Sequence, residues 1–323
     1  LSPFILSIAH LAVLVPIAVM SNRRPIPKES APVQYGASVV SLIAYLNVFQ
    51  YIPFRRLKQL FTDLYNLPLS EGSIANGLKR VASKAAPIYE LIRQQLESAT
   101  QVGADETGAK VNGDKWWIWV WQNLSNAFLK ASDNRGSKTV QETFPDGLPH
   151  ATIGSDRWAA QLKTPSKNKQ LCPPHLLRDL IWLEEKEKSK WATRFKKLLK
   201  EALDLRKIAQ ERGHPFQLGK SAQSQQVENR LNELLAQCID QEVASETATF
   251  QRSMIKHRNF IFPFLYDLEV PPNNNASERA VRNLKVKQKV SGQFKSGQHI
   301  FCILRSVIDT LKKRKLNIFE YLT

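Results

Sequence analysis

Residues 115–123 read Lys-Trp-Trp-Ile-Trp-Val-Trp-Gln-Asn, and no other stretch constrains the fold as strongly. Bulky side chains occupy both alternating sets of positions, so a strand here is apolar on both faces and belongs inside a covered sheet. Use of the tryptophans as a base-stacking platform is the less economical reading. Period-two segments flank the run, Val102–Thr107 before it and Asn126–Ser132 after it, with Asn112-Gly113 as a hairpin turn. A short helix over Ser137–Phe144 and a fourth strand over His150–Ser155 complete a β-β-β-α-β order.

Helical periodicity dominates on either side. Ser38–Phe49 and Phe54–Tyr65 each carry a 3.6-residue pattern. After Asn66-Leu-Pro68, Ser70 can cap a third helix through Ile74, Leu78 and Val81 towards Glu97, with a kink or break at Pro87. The short turn at 66–70 allows a helix-turn-helix presenting Ser73, Asn76, Lys79 and Arg80, or a plain helical bundle. Residues 175–260 read as helical, broken at Gly213-His-Pro215 and over Gly219–Gln226. A further helix starts at Asn273–Glu278, and a last one runs from about His299 to Lys313. The uncharged stretch Leu1–Met20 reaches the length of a membrane span but is interrupted by Pro3, Ser7, His10 and Pro16. A buried or extraneous segment is the expected reading, and membrane association is not expected.

The chain's 46 Lys and Arg against 29 Asp and Glu give a formal net charge of +17, which points to a polyanionic partner. Residues 273–323 hold 11 of those cations and 3 of the acids, whereas 175–272 are nearly balanced at 16 against 14. Nearly half of the excess, +8, therefore sits in the C-terminal segment. The three cysteines are far apart and form no disulfide framework, which suits a reducing cytoplasm. Cys172-Pro-Pro-His175 has the spacing of half a zinc site, but no second Cys/His pair accompanies it. Nucleotide-loop, dinucleotide-turn and serine-elbow motifs are missing.

The β-β-β-α-β order is that of an RNase H-like fold, in which acids from the first and fourth strands meet one from a later helix. Asp105, Asp156 and Glu278 occupy those places, and Glu278 follows Asp156 by 122 positions, which leaves room for a helical insertion. Three converging carboxylates suit two Mg²⁺ ions, for which Mn²⁺ can substitute. Each acid also has a plainer explanation. Asp156 can cap a helix beginning at Arg157-Trp158, Glu278 can complete a capping box with Asn275, and Asp105 can be a strand-end residue with Glu106 as the alternative ligand. If residues 278–289 are helical, Glu278, Arg282, Lys285 and Lys289 share one face; the competing reading is a strand over Leu284–Val290. Either way cations lie beside the acids, as a phosphate track requires.

Several motifs carry a family resemblance over residues 31–323: Gly103-Ala-Asp-Glu-Thr-Gly108, Ser155-Asp-Arg-Trp158, Cys172–Leu180, Asn273–Arg282, Lys285–Phe294 and Asn317–Leu322. At these residues the sequence resembles the transposases of the insertion-sequence-66 group of bacterial mobile elements. The resemblance implies a transposase that cleaves the element ends and joins the freed 3′-hydroxyls to target DNA, with Asp105, Asp156 and Glu278 as metal-holding catalytic acids. It moves the helix-turn-helix reading ahead of the bundle. It also implies terminal inverted repeats and target DNA as partners, a homo-oligomer in the synaptic complex, accessory proteins, and a nucleoid-associated location in the cytoplasm. Arg279, Arg282, Lys285, Lys287, Lys289, Lys295, Lys79 and Arg80 are the expected DNA contacts. The alternatives are a nuclease of the same fold without strand transfer and an inactive remnant that binds DNA.

This chain departs from the family in three places. It has Cys172-Pro-Pro-His175 where the family commonly has Cys-Asn-Ala-His, and Gln161 where a Tyr is usual. Residues 1–30 do not resemble the family's cysteine-rich N-terminal region. The expected class is therefore mixed α/β (α+β): an RNase H-like mixed sheet flanked by helices, over 99–323, with a helical insertion at about 176–262. An all-helical DNA-binding domain over 31–98 precedes it, and 1–30 are an unassigned apolar segment and linker.

Overall fold

The computed structural model describes residues 35–211, 219, 221–240 and 244–323. The apolar segment over 1–30 and the expected break at Gly213-His-Pro215 lie outside the described residues.

Helix α1 (Ala37–Ala44) runs on into a π-helical turn over Tyr45–Phe49, and α2 (Phe54–Tyr65) follows after Pro53. The left-handed C-cap at Asn66 (φ 47°) ends α2, and Ser70 starts α3 (Glu71–Glu97) by accepting a hydrogen bond from the Ser73 N–H. α3 reaches Glu97 as expected and carries Pro87 inside it, so the helix does not break there. Proline removes the N–H that would bond the Ser83 carbonyl, but both residues are exposed, so water can take that acceptor. One face of α3 buries Ile74, Leu78 and Val81, while Asn76, Lys79 and Arg80 stay exposed. Further along, Ile92 and Leu96 are buried, and Tyr89 stacks on Phe128 and donates to the Leu129 carbonyl. The helices before residue 98 thus share one hydrophobic core with the sheet.

Among the described residues that sheet has five strands: β1 (Gln101–Val111), β2 (Asp114–Gln122), β3 (Ala127–Ser132), β4 (Leu148–Ser155) and β5 (Ser166–Leu171). Their order is β3-β2-β1-β4-β5, antiparallel from β1 to β3 and parallel from β1 to β5, the mixed arrangement of an RNase H-like sheet. Asn112 and Gly113 (φ 50° and 93°) form the tight turn, the two positive angles a type I′ hairpin requires. In the tryptophan run, Ile118–Gln122 are buried, while Trp116 and Trp117 lie towards the open end of the strand and are only half-buried. The short helices α4 (Ser137–Thr143) and α5 (Ala159–Lys163) flank β4. β5 has no counterpart in the expected elements. Its sequence Ser-Lys-Asn-Lys-Gln-Leu has no apolar alternation, and only Gln170 and Leu171 are buried, so pairing with β4 makes it a strand.

After β5 the chain enters the insertion: α6 (Pro173–Glu187), α7 (Lys190–Glu211), α8 (Ala222–Ala236), α9 (Ser245–Lys256) and α10 (Pro263–Tyr266). The expected break over Gly219–Gln226 ends sooner, because Ser221 caps α8 by accepting from the Ser224 N–H. This unit has its own apolar core, with Leu180, Phe195, Leu199, Leu231 and Phe264 at its centre. The nearly balanced charge resolves into pairs between elements: Lys196 with Glu184, Arg230 with Glu201, and Arg258 with Glu228. The buried Arg206 on α7 donates to the carbonyls of Phe264, Asp267 and Leu268, shaping the segment that returns to the sheet.

Three helices close the chain: α11 (Asn275–Ser291), α12 (Gln298–Lys313) and α13 (Ile318–Leu322). In α13, capped by Asn317, the Leu322 carbonyl accepts from Ser41 on α1, which packs the closing motif against the first helix. Helix α12 covers the free edge of β3. The outward N–H groups of Ala127 and Leu129 donate to the hydroxyls of Thr310 (3.1 Å) and Ser306 (2.8 Å), and that of Ala131 faces the Cys302 sulfur. Four helical residues rise about 6 Å and two strand residues about 6.6 Å, so a Cys-x3-Ser-x3-Thr row keeps step with alternate strand amides. Ser306→Ala leaves the buried Leu129 N–H without an acceptor, with an expected loss of about 1–3 kcal/mol. Urea unfolding checks this, and an unchanged midpoint refutes the edge-capping role. Among the described residues, no helix is long and apolar enough to cross a membrane.

Candidate active site

Parallel pairing sets the first two acids side by side. Gly103 lies opposite Gly154, so two residues further along, Asp105 on β1 and Asp156 just past β4 stand at the same level. Period two then puts Gly103 and Asp105 on one face of β1 and Glu106 on the other. The face carrying Gly103 receives the start of α11. A Cβ on Gly103 would lie 2.7 Å from Asn274 Oδ1, 2.7 Å from Ser277 Oγ and 2.9 Å from Gln122 Nε2, so only a residue without one admits the helix this closely.

Hydrogen bonds fix the helix in that approach. Asn274 Nδ2 donates to the Ala104 carbonyl (2.9 Å), and Gln122 Nε2 donates to Ser277 Oγ (3.1 Å). Gln122 in turn accepts from Lys313 Nζ (2.6 Å). From the insertion side, Gln170 Nε2 donates to the Pro271 carbonyl (2.6 Å). Glu278, one turn into α11, is thereby carried to the face that bears Asp105. The capping-box reading of Glu278 fails, because the N-cap is Asn274, whose side chain makes no cap bond and is committed to β1. The strand reading of Leu284–Val290 fails as well. Ser277, Ala280 and Leu284 are buried at helical spacing, while Val286 and Val290 face outward.

Asp156 Oδ1 accepts from the Trp158 N–H (2.9 Å), but α5 begins only at Ala159 with Trp158 as its N-cap, so Asp156 is not the helix cap. Glu106, the alternative to Asp105, is engaged by partners of its own. It points to the opposite face, where Arg135 binds it through two nitrogens (3.1 and 2.9 Å) and Gln161 donates to its other oxygen (3.3 Å). The Arg135 guanidinium itself stacks 3.7 Å above the Trp158 ring.

Burial pushes the Asp105 carboxyl up to about 7, and the negative charges of Glu106, Asp156 and Glu278 push the same way against one favourable bond from the Glu106 N–H. Crowded oxygen donors of this kind fit a hard divalent cation such as Mg²⁺, which relieves their mutual repulsion. Two buried oxygens at the site, Glu278 Oε1 and Asn274 Oδ1, have no hydrogen-bond partner. Because its folded pKa is raised, Asp105 contributes stability that is full below about pH 4 and lost as pH rises towards about 7. In chelator at about pH 8, Asp105→Asn is therefore expected to be more stable than the parent by the order of 1–3 kcal/mol, a gap that closes near pH 4. Thermal melts at both pH values check this, and a less stable Asn variant at the higher pH refutes it.

The cations fall into three groups. Arg282, Lys285 and Lys289 continue the Glu278 face of α11 and are exposed, and Lys285 Nζ also reaches the Gly108 carbonyl (3.1 Å). Arg279 and Arg282 line a cleft of about 470 Å³ with Lys312 and Lys313 of α12. Those two lysines were visible in the sequence as the Lys-Lys-Arg-Lys run 312–315, but only packing puts them opposite α11. Lys79 and Lys287 line a cavity of about 340 Å³ between α3 and α11, and burial pushes the Lys287 ammonium down to about 8. Arg80 and Lys295 are exposed.

Cys172 and His175 adjoin the acids. His175 Nδ1 lies 3.6 Å from Glu278 Oε1, and Cys172 is buried at the start of α6. A search for a second Cys/His pair could not reveal this neighbour, which is a carboxylate about a hundred residues away in the chain.

The profile described as Transposase IS66 family matches residues 32–299 of this chain. No curated protein matches it.

Proposed function

The chain belongs to the IS66 family of transposases, and from that premise we propose that it cleaves the ends of a bacterial insertion sequence and joins their 3′-hydroxyls to target DNA. The observation that supports this reading is the buried Asp105 carboxyl, pushed up to about 7 with the charges of Asp156, from the neighbouring parallel strand, and Glu278, from α11, adding to the effect of burial. A chain that merely bound DNA would have no need to bury a carboxyl within reach of two other acids.

Asp105, Asp156 and Glu278 would hold two Mg²⁺, with Mn²⁺ able to substitute. Bound there, the ions would supply activation of the attacking oxygen and charge stabilisation at the leaving one. The chain's own groups do the rest. The Asp105 carboxyl gives up its proton as the cations enter, so loading is expected to improve as pH rises through about 7. Arg282, Lys285 and Lys289 hold the phosphate backbone in line with the acids, and Arg279 with Lys312 offers a second row across the cleft. Lys79 and Arg80 on α3 would extend the cationic surface to the helix-turn-helix, whose second helix shares a hydrophobic core with the sheet. Assembly as a homo-oligomer and accessory proteins belong to the same reading.

A supercoiled plasmid carrying the terminal inverted repeats, with labelled ends and a second target plasmid, tests the proposal. Mg²⁺-dependent transfer of label to the target is the expected result. Nicking without transfer would leave a nuclease of this fold, and tight binding with neither would leave a DNA-binding remnant.

A further inference from the structure

We propose that Cys172, His175 and Glu278 form a binding site for one borderline-soft divalent ion of the zinc class, adjacent to the carboxylate site and sharing Glu278 with it. The three side chains converge from distant parts of the chain. Cys172 follows β5 as the N-cap of α6, His175 sits in the first turn of that helix, and Glu278 comes from α11. Their ligand atoms all lie within 4.8 Å of one another.

Four features of the geometry support an ion here. His175 Nδ1 and Glu278 Oε1 face each other at 3.6 Å, too far for a hydrogen bond, and neither buried atom has another partner. An ion between them satisfies both. The backbone N–H groups of Asn274 and His175 lie against the Cys172 sulfur and hold it beside the other two ligands. Pro173 and Pro174 hold the first turn of α6, so the sulfur and imidazole are placed before any ion arrives. Finally, a sulfur and a nitrogen donor select zinc-class ions over Mg²⁺, which the neighbouring oxygen cluster prefers.

Three protein ligands leave a fourth tetrahedral position open. Ligation replaces the S–H bond with a sulfur–metal bond and releases one proton to solvent, so apparent affinity rises with pH. The ion ties the first helix of the insertion to the start of α11. It also draws on the same carboxylate that the hard-ion site uses, which gives zinc a route to compete with Mg²⁺ loading.

Titrating the full-length, chelator-stripped protein with Co²⁺ tests the site without DNA. The expected result is one Co²⁺ per chain with tetrahedral d–d bands and a thiolate-to-cobalt charge-transfer band, displaced by Zn²⁺ and not by excess Mg²⁺. Cys172→Ser should remove the charge-transfer band. His175→Gln should keep that band and weaken binding about tenfold or more. Cys238→Ser, at an exposed cysteine elsewhere on the insertion, should change nothing. A band that survives Cys172→Ser and disappears in Cys238→Ser overturns the proposal, as does its absence from the parent protein. Because the readout needs no DNA, an inactive transposase that still binds cobalt sinks the catalytic reading and leaves this one standing.

Discussion

Asp156→Asn is expected to lower end cleavage and strand transfer by about 10³-fold or more while element-end binding stays within a few-fold of the parent. A metal-assisted phosphoryl step draws several kcal/mol from charge stabilisation, and each 1.36 kcal/mol is about tenfold in rate. An amide in place of the carboxylate keeps the shape and the bond from the Trp158 N–H but withdraws a charged ligand. Asp105→Asn and Glu278→Gln should behave alike, whereas Glu106→Gln should show mainly a stability defect, since its partners are Arg135 and Gln161. Gel-shift binding and plasmid nicking measured on the same preparations separate the two effects. Retained nicking by Asp156→Asn removes the acid from the site.

Gly103→Val is expected to be the most damaging change outside the acids. Its side chain would enter the space held by Asn274, Ser277 and Gln122, pushing the start of α11 off β1. Overpacking of this kind costs about 1–3 kcal/mol, and displacing a reacting group by about 1 Å costs around 10²-fold in rate. Gly154 is its partner in register on β4, yet a Cβ there meets nothing within 4 Å. Gly154→Ala is therefore the matched control and should stay within about 0.5 kcal/mol of the parent. Comparable losses in the two variants would mean that the approach of α11 does not set the geometry.

Strands β1 to β4 were legible from the chain because the tryptophan run is bulky on both faces, period-two segments flank it and the hairpin carries Asn-Gly. Helices α2 and α3 were legible for similar reasons, through an apolar period and the Ser70 cap. Asp105, Asp156 and Glu278 could be nominated from strand order, since parallel neighbours in such a sheet leave few places where acids can meet. Motif likeness then singled out the same three. β5 was not legible, because a polar edge strand owes its conformation to the neighbour it pairs with. Neither was the covering of β3 by Cys302, Ser306 and Thr310, whose spacing has meaning only once the helix lies along the edge.

The sequence by itself determined most element types, though not β5 or the helix over 284–290, together with the basic C-terminal segment and the candidate acids, all of which follow from local periodicity, strand order and residue chemistry. Only the tertiary structure decided which neighbours those residues have. It turned Glu106 away to Arg135, brought α11 onto Gly103, aligned Lys312 with Arg279, and set Cys172 and His175 against Glu278. Those outcomes depend on contacts between residues tens to hundreds of positions apart, where burial and hydrogen bonding, not local preference, choose the partner.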